Sequence, residues 1–235
     1  MEWTILEYRK FRNALYQELD TAKSCFDLYL RLYENQQDKE VFIKAPTYFR
    51  LTMESLARMS LGIISNLFEV RSSKQQPYSF KKFLSIISHH KGDFFKDDEL
   101  PVINKYIGEM NELLDQHQNI ITILKTRRDK YYSHFDKTYF FEPEELFKSE
   151  EGRLINRQVT KLIELGDKIL KRSPGGLISV PIHKGYKEEL EWILSAITKT
   201  DMKLLSNNTQ IENPKKFEWD FKKIDEWKSK QNNDT

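Results

Sequence analysis

The sequence predicts an all-α protein, an up-and-down helical bundle of four to six helices with a C-terminal helical extension. Three observations carry this. Only eight glycines and seven prolines occur in 235 residues, too few for the many tight turns of an all-β fold. Long stretches contain neither. Within them, apolar residues recur at steps of three and four, the spacing that lines one face of a helix. A chain of this length can bury a sizeable core. The expected division is a bundle over residues 1–205 and a polar, aromatic tail over 206–235.

The elements follow in order. Tyr8, Phe11, Leu15, Leu19, Ala22, Phe26, Tyr29 and Tyr33 form one stripe, on a helix of roughly thirty residues and about 45 Å. A second helix starts at Ala45-Pro46, because proline suits a first helical position. It turns Phe49, Met53, Leu56, Ile63 and Leu67 inward, and Ser55, Ser60 and Gly62 are small enough for a neighbour to approach closely. "VRSSKQQPYS" reads as a loop, and Ser79 as the cap of the short helix "FKKFLSIISHH". From about Asp98 a wide stripe runs through Val102, Ile103, Tyr106, Ile107, Met110, Leu113, Leu114, His117, Ile120, Ile121 and Leu124. "FFEPEELFKSEEG" interrupts the pattern. A helix from near Gly152 to Lys171 turns Ile155, Val159, Leu162 and Ile169 inward and stops at "SPGG". Tyr186, Leu190, Ile193 and Ile197 mark a last bundle helix. In the tail, Phe217, Phe221, Ile224 and Trp227 have helical spacing.

Composition narrows the function classes. The 38 basic and 36 acidic residues leave a net charge of +2, so any nucleic-acid contact must come from a local patch. The one cysteine, Cys25, has no partner for an intramolecular disulfide and reads as a core residue of a reducing compartment. "MEWTILEYRKFRNAL" lacks the apolar run of a signal peptide. No window approaches 18 apolar residues, so no membrane span and a cytoplasmic location are expected.

The densest cluster of reactive side chains is "RRDKYYSHFDK", residues 127–137. On an unbroken α-helix, with about 100° per residue, Arg127 and His134 lie within about 20° of each other, whereas Arg128 is rotated from His134 by about 120°. A histidine can exchange a proton near neutral pH, and an arginine can hold a phosphate through two hydrogen bonds. Together they suit metal-free cleavage of RNA, in which a base activates the ribose 2′-hydroxyl and a cation stabilises the pentacoordinate phosphorus. Asp136 orients the imidazole only if the chain turns there. By pattern alone the cluster reads more readily as the solvated end of a helix than as a catalytic site.

Other groups carry less. His89-His90 lack Cys or carboxylate partners at metal-ligand spacing and read as a loop pair. His117 reads as a hydrogen-bonded core residue, and Glu142, Glu144 and Glu145 as the start of a helical turn. The aromatic residues lie along core stripes without a stacking platform for single strands. With no glycine-rich phosphate loop either, neither a cofactor nor a metal is expected.

A long bundle helix running into "RRDKYYSHFD" resembles the HEPN superfamily of all-α domains, whose signature is an arginine, usually a polar follower, then a histidine. "RDKYYSHFD" is most similar to the U-type abortive-infection subgroup. Upstream, "SLGIISNLFEVRSSKQQPYSFKKFLSII" is similar to that subgroup's helix ending in Leu-Phe-acidic, its polar loop and its Ser-initiated short helix. The resemblance spans roughly residues 5–170. It implies a metal-independent endoribonuclease of phage defence, or a toxin, in which two copies join their motifs in one composite cleft. The carry-over places the motif arginine at Arg128, the polar follower at Asp129 and the histidine at His134. Arg127 stays a candidate from helical geometry, since a composite site can use both arginines. The implied partners are an RNA substrate and a second copy, with room for a protein antitoxin or regulator. Tyr131, Tyr132 and Phe135 are aromatic residues of the kind found at interface cores. Many HEPN-like proteins keep the bundle without nuclease activity, so the alternative is a module that binds RNA, a nucleotide or a protein.

Overall fold

The computed structural model describes residues 3–35, 44–69, 78–133, 154–175 and 185–199. All regular structure among them is helical. The helices are α1 (Ile5–Asn35), α2 (Pro46–Phe68), α3 (Phe80–Phe94), α4 (Leu100–Gln116), α5 (Gln118–Arg127), a π-helical turn (Arg128–Ser133), α6 (Asn156–Lys171) and α7 (Tyr186–Lys199). The all-α bundle is as predicted. Among the described residues seven α-helices appear where four to six were expected, because the stripe from Asp98 breaks at His117. That residue leaves helical geometry (φ −100°, ψ 5°), and its Nδ1 lies 2.8 Å from the Leu113 carbonyl.

α1 is the spine, packed on α2 over the most extensive contact and also touching α3, α6 and α7. Its start is a reciprocal cap: Thr4 Oγ1 accepts from Glu7 N, and Glu7 Oε2 accepts from Thr4 N, satisfying two amides that a helix end leaves open. The predicted stripe is buried from Tyr8 to Phe26. At its C-terminal end Leu32 turns inward and Tyr33 is exposed, because Leu32 packs on Phe49 and Leu194 in a second, smaller cluster.

α2 begins at Pro46 as predicted but presents two different faces. Phe49 joins a small cluster with Leu32 and Leu194, flanked by Met53, Leu56 and Leu190. Farther along, Ser60, Leu61, Ile64, Leu67 and Phe68 enter the main core, and Ile63 is only partly buried. Of the small residues, Ser60 is the one at a close approach: its hydroxyl donates to the Ala22 carbonyl of α1 at 2.9 Å. Ser55 is exposed, and a Cβ on Gly62 would meet nothing within 4 Å.

Ser79 caps α3 as predicted, accepting from Lys82 N. The helix extends past the predicted end to Phe94, with a kink at His90, so His89 and His90 lie within a helix and not in a loop. His89 Nδ1 is 2.7 Å from Ser85 O and His90 pairs with Asp93. Val102 on α4 and Ile155 before α6 are exposed, contrary to expectation, and in α7 Leu194 takes the inward place expected of Ile193. The side chain of Ile197, the tail 206–235, "FFEPEELFKSEEG" and most of "VRSSKQQPYS" lie outside the described residues.

The end of α6 is fastened to α1 by a polar device with no apolar periodicity to reveal it. Arg12, 2% exposed, donates from Nη1 to Pro174 O at 3.1 Å, and Tyr8 Oη donates to the same oxygen at 2.7 Å. Gly175 permits the turn, at φ +101°, a conformation that a Cβ makes costly. Burial pushes the Tyr8 phenol up to about 12. Cys25 is half-buried, and burial raises its thiol pKa.

Gly166 on α6 is the tightest point of the core. A Cβ there would lie 3.0 Å from both Leu19 methyls and from Phe80 Cζ, and both neighbours are buried. Gly166→Val is therefore expected to destabilise by about 1–3 kcal/mol through overpacking. Urea unfolding checks it; a stability equal to wild type would mean that the α1–α3–α6 contact is loose.

Candidate functional site

The "RRDK" stretch begins where α5 ends. The chain continues helically, but from Arg128 to Ser133 it winds as a π-helix. The i→i+5 bonding of that turn is wider than an α-turn, and such turns are frequent at functional sites. The 100° rotation used to pair Arg127 with His134 therefore does not hold across this segment. His134, Phe135 and Asp136 lie outside the described residues, as do the side chains of Tyr131 and Tyr132.

The two arginines have different surroundings. Arg127 is half-buried near α1. Burial raises the Tyr29 phenol pKa, Tyr33 adds to the rise, and the Arg127 charge opposes both. Arg128 is buried, with its side chain 9% exposed, and it meets Glu69, whose side chain is 3% exposed. Glu69 is the residue that ends α2, in extended geometry (φ −64°, ψ 136°). In the sequence it is marked only as the acidic end of "NLFE".

The guanidinium is saturated. Nη1 donates to Glu69 Oε2 at 2.8 Å and Nη2 to Glu69 Oε1 at 3.0 Å, the parallel two-bond geometry that makes arginine–carboxylate pairs strong. Nε and Nη2 donate to Asp129 Oδ1 at 2.8 Å and 2.6 Å. Nη1 also donates to Asn66 Oδ1 at 3.2 Å. An arginine has five N–H donors, and these five bonds use them all. The Glu69 bond, aided by Asp129, holds the guanidinium pKa above its ordinary value despite burial. Asp129, the predicted polar follower, thus binds the motif arginine directly.

Glu69 and Asn66 also line a cavity of about 780 Å³ between α1 and α2, floored by Phe11, Leu15, Ile63 and Leu67, with Trp3 and Tyr78 at its sides. Among the described residues, Glu7, Glu18, Glu69 and Lys10 are the charged groups that line it. No group of three or more metal-binding side chains occurs among the described residues, and no helix among them is long and apolar enough to cross a membrane.

The structure thus brings together Arg128, Asp129, Glu69 and Asn66, drawn from α2 and from the π-turn about sixty positions later in the chain. A family model described as AbiU2, of the HEPN group, matches residues 5–173. That span holds the whole cluster and ends just after α6. No curated protein and no solved structure matches the chain.

Proposed function

The chain belongs to the AbiU2 family of HEPN domains, and from that premise we propose that it is a metal-independent endoribonuclease of phage defence or a toxin, with Arg128 and His134 in its site. His134 takes the proton of a ribose 2′-hydroxyl. The 2′-oxygen attacks phosphorus, the bond from phosphorus to the 5′-oxygen breaks, and that oxygen takes a proton from water and leaves as a hydroxyl. Arg128 neutralises the charge that builds on the phosphoryl oxygens. The observation that carries this reading is the fixed Arg128 fork at the start of the π-turn, six residues before His134. Cleavage of RNA in EDTA, leaving 2′,3′-cyclic phosphate ends, tests it.

The site in this reading is composite. The Arg128 fork is tied to the end of its own α2, and a second motif related by a two-fold axis brings another histidine to it. Light scattering is expected to give a dimer at micromolar concentration, and a monomer there would count against the composite site.

The saturation of Arg128 within one chain favours a second reading, a non-catalytic module in which the cluster only ties α2 to the π-turn. It predicts no RNA cleavage under any condition, and charge reversal at the half-buried Arg127 that weakens RNA binding and its salt dependence.

A further inference from the structure

A planar guanidinium presents two paired-donor edges and one remaining N–H. In Arg128 the end edge, Nη1 with Nη2, is held by Glu69, and the remaining Nη1 hydrogen is taken by Asn66. The side edge, Nε with Nη2, faces Asp129. The two carboxylates are not equivalent. Glu69 is 3% exposed and uses one oxygen per donor, as a committed partner does. Asp129 is 36% exposed and accepts both bonds on one oxygen.

We propose that Glu69 is a positioning residue that commits the end edge of Arg128, and that the side edge is an oxyanion subsite in which the Asp129 carboxylate stands in for a phosphate. The subsite deepens the ribonuclease reading and rests on it for the identity of the anion as a phosphodiester. A phosphate with two free oxygens replaces the single shared oxygen by two parallel bonds, the preferred geometry of arginine–phosphate contacts. Asp129 leaves by rotating its own side chain toward solvent, because it is the half-exposed partner. Glu69 is 3% exposed and held through both of its oxygens. Its bond fixes the plane of the fork while the other edge changes partner, so Asp129 holds the site closed until an anion arrives that offers each donor its own oxygen.

The test is binding of the full-length protein to a 2′-O-methyl oligoribonucleotide, which lacks the attacking hydroxyl and is not cleaved by the proposed route. Fluorescence anisotropy is measured over a range of salt. Asp129→Asn removes the competing charge and is expected to tighten binding about tenfold, the scale of one hydrogen bond to a charged group. The salt dependence should steepen by about one phosphate contact. In Glu69→Gln, Asp129→Asn that gain should disappear, because the fork is no longer held. A purely structural Glu69 would leave the gain intact. Asp129→Asn binding at or below the wild-type affinity, or no binding by either protein, overturns the subsite; this arm stands even if the double variant fails to fold. Cleavage enters nowhere in the measurement. A gain without RNA cleavage by any form therefore sinks the nuclease and keeps the subsite, and cleavage without a gain does the reverse.

Discussion

Glu69→Ala is expected to destabilise the fold by about 3–5 kcal/mol, the cost of breaking a buried ion pair from one side. The guanidinium left behind is 9% exposed and loses two short bonds. Asp129 can keep its own contacts with it, which places the effect toward the lower end of that range. Arg128→Ala strands the Glu69 carboxylate in turn and belongs in the same range. Replacing both residues by methionine should be far milder than either single change, since a buried pair exchanged for apolar side chains of similar volume is often neutral. Urea unfolding of the three variants, with unchanged slopes, measures the cycle. A cost below about 1 kcal/mol for Glu69→Ala would be that of a solvated pair, and the burial argued here would be wrong. One consequence is practical. Lost activity in Arg128→Ala reports on folding as much as on chemistry, so Arg128→Lys, which keeps the charge and loses the fork, is the better probe.

The elements that were legible in the sequence are those that local physics fixes. The α1 stripe, Pro46 at the head of α2 and Ser79 capping α3 each follow from side chains within a few residues of one another. The missed features are settled by partners far along the chain. Whether Tyr33 or Leu32 turns inward depends on where α7 and the start of α2 lie, because Leu32 packs on Phe49 and Leu194. The break at His117 carries neither glycine nor proline, and the histidine closes it by reaching back to Leu113 O. Arg12 and Glu69 read as surface charges by composition, yet both are buried. The site divides in the same way. "RRDKYYSH" was visible as a motif, and the acidic end of "NLFE" was part of the quoted resemblance. Their contact was invisible, because 59 residues separate Glu69 from Arg128. The π-turn has no sequence signature, so rotation by α-helical steps ranked the arginines by a geometry that this segment does not have.

His134→Ala is expected to lower the rate of RNA cleavage by about 10²–10⁴-fold, the usual contribution of a positioned general base. Two readouts separate this from damage to the fold. The thermal midpoint should match wild type. Affinity for the uncleavable 2′-O-methyl strand should hold, since the arginine fork is untouched. Undiminished cleavage by His134→Ala would place the base elsewhere and remove the site assignment. The same variant also decides whether the site is shared between copies. His134→Ala keeps Arg128, and Arg128→Lys keeps His134. If each site takes its arginine from one copy and its histidine from the other, mixing the two inactive proteins creates mixed dimers with one intact pair, and part of the wild-type activity returns. If both residues act within one chain, no mixture contains an intact pair and the activity stays absent.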